Sequence, residues 1–240
     1  MKKNCLSLIL IIAGLMLCNP LCAQNDIGFL PVEEIPNDLV YMPAPPTNGS
    51  QEFLTDSVLY EKNKDLRFGA RLAQAIADAS TDTDSILTYF GPAFGFLITK
   101  ENAPAIYDLV TRAKYDIRHG VDHGKKEYMR RRPFVYFDEH TPVPDEERSL
   151  RYSGSYPSGH SVRGWGIALL LAEINPERQN DILERGYQYG QSRVIIGVHF
   201  QSDVDAARLV ASAVVARLHA DKEFEKQMKR AKREFKRLSH

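Results

Sequence analysis

Three stretches of the chain gather side chains that can bind or transfer an anionic group. In KKEYMRRRPF, Lys125 stands seven residues before Arg132, which precedes Pro133. In GSYPSGHS, residues 154–161, Ser158, Gly159 and His160 stand where the apolar run VRGWGIALLLAEI begins. In QSRVIIGVHFQSDVD, Arg193 is followed by His199 and then Asp203. Each has a plain structural reading when taken alone: a solvated basic run, a helix N-cap, and a surface pair one helical turn apart.

Together they describe something more specific. Lys125, Arg132 and Arg193 supply fixed cations. Arginine forks match phosphate oxygens bidentately, and the amides of a helix starting at Ser158–His160 suit an anion. If residues 199–203 are helical, Asp203 lies one turn from His199. It can then accept one imidazole N–H and leave the other ring nitrogen free and directed. Arg193 would face elsewhere on a continuous helix, so Gly197 is expected to end one helix and turn the chain back. Two histidines beside a phosphate cradle allow one to attack phosphorus while the other protonates the departing oxygen.

These residues must be positioned by helices, because strand patterns are nearly absent. Apolar and small residues recur at three-to-four spacing in LRFGARLAQAIADA, in SILTYFGPAFG up to its Gly-Pro break, and in PAIYDLVTRAKYDI. Residues 138–155, with two prolines and no apolar period, read as a surface loop leading into the Ser-Gly-His turn. Three strong helices follow: His160–Ile174, Pro176–Tyr189, and one from near Phe200 to His219. The last segment, KEFEKQMKRAKREFKRL, aligns Phe224, Met228, Ala231 and Phe235 in a stripe. It reads as a terminal helix packed by that stripe, or alternatively as a membrane-surface helix. The fold class expected is all-α, a single-domain helical bundle over residues 51–237. An extended proline-rich arm over residues 24–50 precedes it.

Lys2 and Lys3 precede the twelve-residue apolar stretch Leu6–Leu17, and Cys22-Ala23-Gln24 offers a small residue for cleavage, so residues 1–23 read as a secretory signal peptide. No apolar run is long enough for a transmembrane helix. All three cysteines, 5, 18 and 22, lie in that segment, so the expected mature chain, residues 24–240, has no disulfide to rest on. A chain of that size buries roughly 70% of its extended surface, enough for one core without one. With 31 basic and 31 acidic residues, the charge balance argues against nucleic acid as a partner.

The ordered set Lys-x6-Arg-Pro, Pro-Ser-Gly-His and Ser-Arg-x5-His-x3-Asp resembles the signature of the type 2 phosphatidic acid phosphatase and vanadium haloperoxidase superfamily. Within it, GSYPSGHS, LAEINPERQ, ERGYQYGQSRV, QSDVDAARLVASAVVARLH and the early YMPAPP resemble the bacterial class A non-specific acid phosphatases. The likeness runs from about Phe29 to Lys236. It implies that His199 forms a phosphohistidine, Asp203 orients it, and His160 protonates the leaving alcohol. Lys125, Arg132, Ser158, Gly159 and Arg193 would hold the phosphoryl oxygens. It further implies an all-helical, periplasmic, metal-independent and oligomeric enzyme acting on small phosphomonoesters without a cofactor. Two positions depart from the pattern: Ser161 replaces a common threonine, keeping the hydroxyl, and Ile196 stands where some relatives carry a cysteine.

His119, Asp122 and His123 have a spacing that could grip a metal, but Gly120 and Gly124 weaken a helix there, and no metal site is assigned. The expected function is therefore an exported phosphomonoesterase with a histidine nucleophile. The alternatives are a vanadium-dependent haloperoxidase using the same cradle and a phosphate-binding protein without turnover.

Overall fold

A computed structural model describes residues 28–239, so the expected signal peptide lies outside the described residues. Twelve α-helices make up the described chain, with no strand among the described residues. Helix α9, Gly159–Ile174, is apolar on all sides and buries Val162, Ile167, Leu170 and Leu171. An all-round apolar helix must be surrounded. It packs against α5 (Pro104–His119), α10 (Gln179–Ile195) and α11 (Gln201–Leu218), while α12 (Lys222–Leu238) lies on α5. The stripe of α12 faces the bundle: Phe224, Met228 and Ala231 are buried and Phe235 packs on Phe94 and Phe96. That contact decides for the packed terminal helix.

The contact between α9 and α10 is set by a glycine. A Cβ on Gly186 would lie 2.3 Å from that of Ala168. Because α9 carries His160 and α10 carries Arg193, this close approach also sets the spacing across the site. Gly186→Ala is expected to cost about 1–3 kcal/mol through overpacking. The check is a thermal melt showing Tm lowered by several degrees.

Three expectations change. Helix α4, Thr83–Phe94, runs through Pro92 instead of breaking at Gly91-Pro92. Arg178 compensates at the exposed carbonyls, its Nε donating to Ala93 O at 2.8 Å and its Nη2 to Pro92 O at 3.2 Å, and Gly95 closes the helix at φ 110°. Residues 138–155 are not all loop, since α8 occupies Pro144–Leu150. Pro144 starts it, and Asp145, Glu146 and Glu147 suit the positive end of its first turn. The helix expected at Pro176–Tyr189 begins with a 3-10 turn, Pro176–Arg178, and continues as α10 to Ile195. It passes Gly190, whose missing side chain admits Val204 and Ser161.

Residues 28–46 lie against the bundle through buried carboxylates. Asp116 of α5 accepts Phe29 N–H at 2.7 Å and Leu30 N–H at 3.4 Å. Asp38, at the start of α1 (Asp38–Tyr41), accepts Gly124 N–H at 3.0 Å in α6, Asp122–Tyr128. Tyr156 donates its hydroxyl proton to Pro43 O at 2.6 Å. Burial pushes the Asp116 carboxyl up to about 6 from 3.8. A raised carboxyl pKa means the folded chain holds a proton the unfolded chain has lost. Its stabilising contribution is full below 3.8 and is lost as pH rises through about 6. Wild type should therefore gain stability relative to Asp116→Asn as pH falls across that window, by about 1.4 kcal/mol per unit at most. Paired denaturant melts at pH 4, 5, 6 and 7.5 check the slope.

Candidate active site

The turn after α10 brings Arg193 and His199 together. Gly197, at φ 80°, turns the chain where a side chain would be strained. The Val198 and His199 N–H groups then both donate to Arg193 O, at 3.1 and 3.2 Å. The helix starts later than expected: Phe200 is the N-cap of α11, so His199 precedes it. The pairing with Asp203 forms nonetheless, because Asp203 stands at the third helical position and reaches back. It accepts Phe200 N–H at 2.8 Å and lies 3.2 Å from His199 Nδ1.

His199 is buried, and both ring nitrogens are directed. Nδ1 faces the Asp203 carboxylate and therefore carries the proton, leaving the Nε2 lone pair 3.0 Å from Arg132 Nη1. Burial, followed by the charges of Arg132, Lys125 and Arg193, holds this imidazole well below its ordinary pKa of 6.5. It is a neutral, oriented base.

All eight residues singled out by the three motifs converge here. Arg132 is buried and fastened to the carbonyls of Leu150, Ser153, Gly154 and Val198. Lys125 Nζ donates to the same Gly154 carbonyl at 2.8 Å, and burial with the neighbouring Arg132 pushes its pKa down to about 7. Ser158 joins the strand of contacts twice: its N–H donates to Asp203 O at 3.0 Å, and its Oγ accepts Ser161 N–H at 3.3 Å. Ser158 is therefore the N-cap of α9, with Gly159 and His160 presenting the first amides of the helix. Arg193 is fully buried, yet its Nε and Nη1 meet no hydrogen-bond partner among the described residues. Such buried donors normally have partners, so these are held ready for an oxygen-rich ligand. Half-buried His160 points Nε2 at Ala79 O, 2.8 Å away. The carbonyl can only accept, so Nε2 carries the proton and Nδ1 is open to a ligand. Burial and then Arg193 hold this ring well below 6.5 too.

Several participants are not among those residues. Ser155 bridges the pair, donating to Asp203 Oδ2 with its Oγ 3.2 Å from His199 Nδ1. Arg130 stacks over Phe200 and donates to Asp203 Oδ1 at 2.6 Å and to Asp56 Oδ2 at 2.8 Å. Asp56 lies on α2, Gln51–Asn63, and also accepts Ser202 N–H at 2.9 Å. From α8, Glu146 Oε2 accepts a hydrogen bond from Arg193 Nη2 at 3.1 Å. Arg130 was part of a visible basic run and Ser155 of the Ser-Gly-His stretch. Nothing local marks Asp56. A cavity of about 520 Å³ lies at the outer end of this network against Pro43 and Tyr156 and is lined by none of the eight residues. A large apolar hollow does not locate chemistry that depends on buried donors.

His119 and His123 diverge. His119 Nδ1 pairs with Asp122 at 2.6 Å, whereas His123 Nδ1 faces Asp38 at 3.9 Å, and no group of three potential metal ligands occurs among the described residues. No helix among the described residues is long and apolar enough to cross a membrane.

The PAP2 superfamily matches residues 117–225, the stretch that contains all eight of these residues. The chain is 45% identical to the non-specific acid phosphatase of Providencia stuartii, with 92% of this chain and 89% of that protein covered. Against the non-specific acid phosphatase of Salmonella typhimurium the identity is 38%, covering 88% and 85% of the two chains. Against the acid phosphatase of Zymomonas mobilis it is 35%, covering 82% and 74%. The chain belongs to the non-specific acid phosphatases of the PAP2 superfamily, and it is a hydrolase of that type.

Proposed function

We propose that the chain is an exported phosphomonoesterase that passes the phosphoryl group of small phosphate esters through His199 Nε2 to water. The observation that carries this reading is the buried Arg193 with two unpartnered donors beside an imidazole fixed by Asp203. Lys125, Arg132, Arg193 and the first amides of α9 take the three non-bridging oxygens. These donors stabilise the charge that develops on them during transfer, with Arg132 Nη1 turning from His199 Nε2 to the phosphoryl group as the imidazole attacks. His199 Nε2 attacks phosphorus, the bond to the leaving oxygen breaks, and His160 Nδ1 delivers a proton to that oxygen. A water, giving its proton back to His160, then opens the phosphohistidine and releases phosphate.

The proton needs a source, because burial and the neighbouring cations hold both imidazoles neutral. A phosphate ester loses its second proton near pH 6, at about the value for phosphorylated side chains. At acidic pH the substrate therefore enters as a monoanion carrying the proton that His160 Nδ1 relays. An acidic optimum follows from the substrate's ionisation without a pre-charged histidine. Burial, and after it the shared charge of Arg193, lowers both imidazoles together, so neither is set apart as the charged one.

Three fixed cations leave a divalent ion little charge to neutralise. The test is hydrolysis of p-nitrophenyl phosphate and glycerol phosphate at pH 5, with and without EDTA, by protein recovered after export. Turnover unchanged by chelation is expected. Binding of phosphate without turnover would leave only a binding protein. Loss with EDTA and recovery with zinc or magnesium would overturn the metal-free mechanism, and vanadate-dependent halide oxidation would replace the phosphatase reading.

A further inference from the structure

Beside the cradle lies a second cavity, of about 250 Å³, lined by Thr81, Thr111, Lys114, Tyr115, Arg118 and Arg163. We propose that it holds a second phosphate carried by the leaving group of the substrate, making small bisphosphates preferred over the corresponding monophosphates. The inference rests on the phosphatase reading above and concerns its selectivity.

Placement comes first. Arg163 is one turn into α9, and its Nη1 donates to Gly159 O at 2.8 Å. A Cβ built on Gly159 would meet Lys125 Cε at 3.4 Å and Arg163 Nη1 at 3.8 Å, so Gly159 stands between Lys125 of the cradle and Arg163 of the cavity. The turn between α3 (Gly69–Ala77) and α4 forms a second link. Its Ala79 carbonyl accepts from His160 Nε2, and its Thr81 carbonyl accepts from Lys114 Nζ at 3.0 Å. The cavity is therefore joined through this turn to His160, the residue proposed to protonate the leaving oxygen.

The charges lack a counterion. Arg118 is paired with Asp122, but neither Lys114 nor Arg163 forms an ion pair among the described residues. Asp82 and Asp84 are the nearest acidic side chains influencing Lys114. Asp82 is taken up by Ser80 and Ser85 N–H, and Asp84 by Tyr107. Burial and then Arg163 lower the Lys114 pKa, and burial and then Arg118 push Arg163 to about 10. These cations are kept together against their mutual repulsion. The Thr111 hydroxyl is also buried without a hydrogen-bond partner among the described residues. A phosphate in this cavity would offset the charge and accept that proton.

The experiment compares kcat/KM for fructose 1,6-bisphosphate, the two fructose monophosphates and p-nitrophenyl phosphate. Wild type should favour the bisphosphate. Lys114→Gln and Arg163→Gln should each reduce that preference about tenfold, the scale of one hydrogen bond to a charged group, and leave p-nitrophenyl phosphate unchanged. Lys114→Arg should retain it. No preference in wild type, or equal losses on all four substrates, would overturn the proposal. Absence of turnover on p-nitrophenyl phosphate would instead count against the phosphatase reading. Calorimetric titration with the bisphosphate and a monophosphate would then read the same selectivity as a difference in Kd.

Discussion

His199→Ala lowers turnover of every phosphate ester by about four orders of magnitude or more, whatever the leaving group. The expectation follows from the covalent step: with Nε2 gone, the remaining free imidazole nitrogen, His160 Nδ1, is backed by a carbonyl and not by a carboxylate that could stabilise the charge created on attack. Removing a nucleophile from a concerted set leaves only binding and electrostatic stabilisation to act. Arg132 and Arg193 do not depend on the imidazole for their anchoring, so the variant should still bind inorganic phosphate. The measurement pairs steady-state rates on p-nitrophenyl and glycerol phosphate with rapid quenching of labelled substrate without acid. Wild type should yield label at His199 and the variant none. Appreciable turnover by the variant, or label on another residue, would remove His199 from its role.

His160→Ala has a large effect of a different shape. Ala79 O holds its Nε2 and leaves Nδ1 free, so under the proposed mechanism the loss removes proton delivery to the leaving oxygen. General acid catalysis of this kind contributes about two to four orders of magnitude. p-Nitrophenolate departs readily as an anion and needs little help. An alkoxide does not. Glycerol phosphate hydrolysis should therefore fall by about a hundredfold or more beyond any loss on p-nitrophenyl phosphate. Equal losses on the two substrates would show that His160 only binds or orients.

The legible part of this site was the part encoded at short range. Lys125 with Arg132, the Ser158–His160 turn, and Arg193 with His199 and Asp203 each lie within one helix end or one turn, so spacing alone brought out their relation. Their mutual convergence was not a local property, and the resemblance supplied it. Asp56 shows the limit: it reaches Arg130 across 74 residues, and its surroundings in α2 are those of any amphipathic helix. Glu146 was obscured differently. Pro142 and Pro144 among charged residues suggested a loop, although Pro144 followed by Asp145, Glu146 and Glu147 is also a helix start. Pro92 misled in the same sense, because Arg178, distant in sequence, stabilises the turn that the proline weakens. The all-helical class was the most accessible feature, since the period of the apolar residues is set by the helix itself.

The contacts of the segment before α2 bear on how the chain reaches this structure. Phe29 and Leu30 find Asp116 at separations of 87 and 86 residues, and Pro43 finds Tyr156 at 113. Synthesis begins at the N-terminus, so this segment emerges well before any of its partners exists. It must wait unstructured while the following half of the domain is made, and closing such large loops is entropically slow. Tyr156 adjoins the turn that carries Ser158 and His160. The last loops to close thus brace the residues that grip phosphate, and a chain caught before that closure would have its helices without a finished cradle.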